Sequence, residues 1–136
     1  MQKLVFEDAW NRTISQKDRE EIELIFHHAV SNLHTGVTFS TVRIAINYKN
    51  ELLVTAIVHN KTEQNLVFEN TPLQVHDGDL MLADHTFTLP ALQVPPETSM
   101  PWTFIFPAGS FEIPDSNGPC PLHKKNNFIL SCYYSF

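Results

Sequence analysis

Val42-Arg43-Ile44-Ala45-Ile46-Asn47-Tyr48, Lys49-Asn50-Glu51 and Leu52-Leu53-Val54-Thr55-Ala56-Ile57-Val58 decide the fold class. In the first run Val42, Ile44, Ile46 and Tyr48 alternate with Arg43, Ala45 and Asn47, the period-two pattern of a half-buried strand. The last run is apolar at nearly every position, as a central strand covered on both faces would be. The short polar break between them joins the two as a β-hairpin.

Working outward, more short strands follow. Leu66-Val67-Phe68 and Leu73-Gln74-Val75-His76 are separated by Pro72, which demotes its strand to an edge or marks a corner. Asp77-Gly78 is a tight-turn dipeptide, beyond which Leu80 to Ala83 and Phe87 to Leu89 are short apolar runs. Met100, Trp102, Phe104 and Phe106 alternate with Pro101, Thr103 and Ile105, an aromatic strand with one heavily buried face. Short strands at regular spacing with turn residues between them predict an antiparallel, immunoglobulin-like β-sandwich over about 40–113.

Upstream, one amphipathic helix is expected over about 15–31. Ser15 is a suitable N-cap, and Asp18, Glu20 and Glu21 suit the positive end of the helix dipole. Ile22, Ile25, Phe26, Ala29 and Val30 then form one apolar stripe. A helix that precedes the strands, and does not cross between parallel ones, argues against a βαβ fold.

The chain has 136 residues, enough for a single domain, 1–136, with 114–136 as a tail of separate character. In that tail Phe128, Leu130, Cys132 and Tyr134 form the inward face of a final strand, or belong to an altered terminus. Nine basic against fifteen acidic residues give a formal charge of −6, which argues against a nucleic-acid partner. No run reaches the roughly 18 apolar residues of a membrane span, and Met1 to Asp8 lacks a signal peptide's apolar region. A cytoplasmic location is expected. Cys120 and Cys132 match no metal spacing and are expected as reduced thiols. The sequons at Asn11 and Asn60 are read as chance.

Candidate chemistry is sparse. His27 and His28 are adjacent and diverge by about 100° on a helix, and Glu23 with His27 lacks the second histidine of a zinc helix. The densest ligand group is His76, Asp77, Asp79, Asp84 and His85 around a turn, which lacks the register of a calcium loop. His59, at a strand end, is read as facing solvent. There is no G-x-S-x-G elbow, and the glycines at 36, 78, 109 and 118 are too isolated to cradle phosphate. No catalytic residue and no cofactor are assigned, and an enzyme is not expected. A small-ligand or metal-binding protein using the 76–85 loop is the alternative to an interaction module.

Four segments, in order, resemble the SLAP domain. Asn50-Glu51-Leu52-Leu53-Val54-Thr55-Ala56-Ile57-Val58-His59-Asn60 is similar to its "GELLVT-x-x-I-x-N" centre, with Asn50 in the glycine's place. Asn70-Thr71-Pro72-Leu73-Gln74-Val75-His76-Asp77 resembles "N-x-P-L-x-V-x-D", and Ala83 to Leu89 resembles "A-x-x-x-F-x-L". Val94-Pro95-Pro96-Glu97-Thr98-Ser99-Met100-Pro101-Trp102-Thr103-Phe104-Ile105-Phe106 is similar to "I-P-P-x-[ST]-S-x-P-W-x-F-x-F". The resemblance spans roughly residues 10 to 112 and brings no catalytic residues. It implies a role in secretion or assembly of surface-layer proteins in Gram-positive bacteria, alongside the accessory Sec system. The implied partner is a protein: a secretion or surface-layer component, or a second copy through a sheet edge.

Overall fold

The computed structural model describes residues 2–77 and 80–112, together with the backbone of 128–132. Among the described residues nine elements follow in chain order: β1 (Lys3–Leu4), α1 (Asp8–Thr13), α2 (Gln16–Val30), β2 (Gly36–Ile46), β3 (Leu52–Lys61), β4 (Leu66–Asp77), β5 (Leu80–Val94), β6 (Thr98–Phe106) and β7 (Phe128–Cys132). The strands form a mainly β protein of two sheets, in the orders β1-β6-β3-β2 and β5-β4-β7.

The hairpin β2–β3 turns through Asn47 to Glu51. Asn47 Oδ1 accepts from the backbone N–H groups of Lys49 and Glu51, and Asn50 adopts a φ of 60°. Asparagine tolerates the left-handed region that glycine would otherwise supply. β3 is the central strand of its sheet, flanked by β2 and β6 in antiparallel register. One of its faces, with Leu52, Val54, Ala56 and Val58, meets the second sheet, while Ile57 on the other packs with Ile22, Phe26 and Val42. Phe104 is the aromatic hub of the inter-sheet core, with ring centroids 5.6 Å from Phe87, 5.8 Å from Phe68 and 6.1 Å from Phe39.

Four expectations need correction. The strands do not all run antiparallel, and the N-terminal helix is not alone: β1 pairs parallel with β6, and the six-residue α1 lies between β1 and α2. β1 is short because its ladder runs into Pro101. Lys3 N–H donates to Glu97 O and Val5 N–H to Ser99 O, and the next outward-facing residue of β6 has no N–H to give. Secondly, Val42 and Ile44 do not share a face. A register shift between Thr41 and Arg43 makes Val42 the extra residue of a bulge, so Val42 lies under α2 while Ile44 enters the inter-sheet core.

Thirdly, Leu66–Asp77 is one strand, with its register shifts at Val67/Phe68, Phe68/Thr71 and Val75/His76. Pro72 sits just before the stretch, Leu73–Asp77, that β7 pairs, so a missing N–H is tolerated there. Likewise Leu80–Ala83 and Phe87–Leu89 are parts of one strand, bent where Pro90 to Leu92 stand between the residues opposite Phe68 and Val67. Fourthly, His59 is buried, at 1% exposure.

Candidate functional site

Of the five residues picked out as weak metal candidates, the four that are described are not grouped as a metal site. His76 lies opposite Met81 and its Nε2 is 2.8 Å from Gln74 Oε1. Asp84 is opposite Gln74, whereas His85 is opposite Leu73 and its ring stands edge-on to Phe87 at 4.9 Å. Neighbouring residues on a strand point to opposite faces, so Asp84 and His85 cannot reach one ion together. Asp79 lies outside the described residues, as do Cys120 and the side chain of Cys132. Among the described residues no three His, Cys, Asp or Glu side chains are grouped for a metal.

The polar cluster that the fold does assemble is on the opposite sheet. His59 Nε2 is 2.7 Å from Ser40 Oγ, and its Nδ1 is 2.7 Å from Ser99 Oγ. Gln2 Nε2 donates to Ser99 Oγ at 3.1 Å and to Asn60 O at 3.3 Å. Strands β2, β3 and β6 and the N-terminal segment thus share one hydrogen-bonded chain. Burial drives the His59 pKa down to about 4, so the ring is neutral near pH 7. The outline is that of a nucleophile beside a base, but so weak a base has little power to activate either serine.

The sequence carried a signal for this burial. His59 is two residues from Ile57, and period two places both on the face that α2 covers. Ser40 and Ser99 carried none, because they meet His59 only through strand register.

A second feature is a groove between the helices and the outer face of sheet β1-β6-β3-β2. A cavity of about 150 Å³ is floored by Thr55 and Thr103, whose hydroxyls are 2.9 Å apart, and walled by Trp10, Ile14 and Arg43. A neighbouring cavity of about 300 Å³ shares Trp10, Ile14 and Asp18. Arg43 Nη2 donates to Asp18 and Glu21, each at 3.0 Å. That bond to Arg43, and then Ser15, hold the Asp18 carboxyl below its ordinary range. The bulge at Val42 is what turns Arg43 toward these acids. Beyond the groove Ile105 is 47% exposed, in a row with the half-buried Leu53 and the exposed Ala45.

The SLAP domain family model matches residues 4–118, from β1 to beyond β6. The chain belongs to the SLAP domain family. No curated protein and no solved structure matches the chain. In this SLAP domain the matched span includes the whole hydrogen-bonded chain except Gln2, and the whole groove. Asn60, which ends the β3 motif, is fully buried; its amide donates to Gln64 O, Val94 O and Pro95 O, and its oxygen accepts from Thr62. The sequon there is therefore a structural asparagine. Among the described residues no helix is long and apolar enough to cross a membrane.

Proposed function

We propose that this SLAP domain is a non-catalytic protein-interaction module of immunoglobulin-like architecture. The strand order supports the architecture: β2-β3-β6 matches the A-B-E succession of such a sandwich, and β7-β4-β5 matches F-C-C′. The partner is a component of surface-protein or surface-layer secretion, working with the accessory Sec system of a Gram-positive bacterium on the cytoplasmic side, or a second copy of the chain.

The observation that carries this reading is the apolar outer face of Ala45, Leu53 and Ile105, exposed at Ala45 and Ile105 and half-buried at Leu53, beside the groove at Trp10 and Ile14. An apolar sheet face beside a formed groove is suited to a partner, whereas scattered single apolar residues are not. Two of the sheet edges are less inviting. The β6 edge meets Pro101 and the Trp10–Trp102 stack, and the β5 edge is bent at Pro90 and bridged at Ala83 by Phe111.

The test compares the unaltered chain with Ile105→Glu and Leu53→Lys by light scattering and by crosslinking to secretion components. Self-association or a specific crosslink that both variants lose supports the module. A monomer that crosslinks to no secretion or envelope component, or a contact indifferent to both variants, overturns it.

A further inference from the structure

We propose that Gln2, Ser99, His59 and Ser40 form a proton-sensitive latch that fastens β1 to the edge of β6 and lets go when His59 takes up a proton. One assignment of roles uses every bond in the chain. A carbonyl can only accept, so the bond to Asn60 O fixes the nitrogen of the Gln2 amide on that side. Gln2 therefore donates to Ser99 Oγ, and the Ser99 hydroxyl hydrogen passes on to His59 Nδ1. Nε2 then carries the ring's hydrogen and donates it to Ser40 Oγ. In this neutral arrangement the chain of donors is complete. One buried atom is left over: Gln2 Oε1 has no partner.

A proton arriving from water at Nδ1 reverses the link to Ser99. The ring now donates to Ser99 Oγ, and the Ser99 hydrogen must find another acceptor. Gln2 Oε1 is the acceptor that lacks a donor, and turning the amide to present it withdraws Nε2 from Asn60 O. No covalent bond other than the new N–H is formed or broken. The ring also becomes a buried cation. Lys61 lies two residues beyond His59 on β3, and Glu97 two residues before Ser99, just ahead of β6. Lys3 lies on β1, and His27 and His28 in the last turn of α2 are exposed. None offsets the burial that keeps the ring neutral. Water is admitted to the ring by opening β1, which is tied to β6 by the Lys3 and Val5 backbone bonds at 3.1 and 2.9 Å. Lifting it bares the backbone carbonyls of Glu97 and Ser99.

The test is amide hydrogen exchange on the full chain without an N-terminal tag, expressed as protection factors and read beside the His59 ring resonances. Between pH 6.5 and 4, Lys3 and Val5 are expected to lose protection by about tenfold or more relative to Val54 and Phe104. In His59→Gln the same ratio should stay level across that range. Should His59→Gln fail to fold, Gln2→Leu serves: Lys3 and Val5 are weakly protected already at pH 7 and change by less than about twofold on acidification. Constant relative protection in the unaltered chain while His59 titrates overturns the latch. So does an undiminished acid-dependent loss in either variant.

Discussion

The two faces of sheet β1-β6-β3-β2 are built on different terms. The inner face meets the second sheet through interlocked aromatic rings, with Phe104 and Phe106 both packed edge-on against Phe87. Leu52, Val54, Ala56 and Val58 are fully buried there and bring no polar side chain. The outer face is shared between Ile57 and Val42 under α2, the polar chain around His59, and a bare end at Ile105. A dry face of this kind contributes stability at every pH. A mixed face contributes less, but it holds the groups that respond to protons and to partners.

Cutting the hub should produce the largest effect. Phe104→Ala removes a ring touching three others and is expected to cost about 3–5 kcal/mol, read as a fall in the denaturation midpoint at constant slope. A cost below about 1 kcal/mol would mean that the two faces do not differ as described.

Acid comes next and acts on the outer face. The folded pKa of His59 is about 4 against 6.5 for a free ring, so the unfolded chain takes up the proton first as pH falls. Stability is therefore complete above pH 6.5 and declines toward pH 4, by roughly 3 kcal/mol in total. Denaturant titrations at a series of pH values, with and without His59→Gln, isolate this contribution; a variant with the same decline removes it.

Ile22→Ala, on the one-sided helix layer, should cost about 2 kcal/mol, less than the hub because α2 has freedom to settle onto Ile57. A cost equal to that of Phe104→Ala would place the two layers on one footing. Smallest is Ser15→Ala, which removes the hydroxyl that accepts from Asp18 N–H at 3.1 Å. It should cost about 1 kcal/mol in thermal or chemical unfolding.

The inner face was legible because alternation and aromatic content are local properties. Met100 to Phe106 announced a buried strand, and Ser15 with the Ile22–Phe26 spacing announced α2. Val42 misled because a bulge moves one residue across the sheet without altering its neighbours' chemistry. Asp84 and His85, adjacent in sequence near the 76–85 turn, lie on opposite faces of β5, a separation that nearness in sequence does not reveal. β1 went unseen because Lys3 and Leu4 pair with residues more than ninety positions away.

The amino-acid sequence by itself determined the β-rich class, the central position of Leu52–Val58, the helix at Ser15 and the SLAP family motifs. Each is written in the period, composition or order of residues that lie close together along the chain. Only the tertiary structure decided that His59 is buried between two serines, that Arg43 reaches Asp18 and Glu21, and that Ile105 is left exposed. Those outcomes depend on strand register, on one bulge and on where a helix stops covering a sheet. They are relations between distant segments, and no local pattern encodes them.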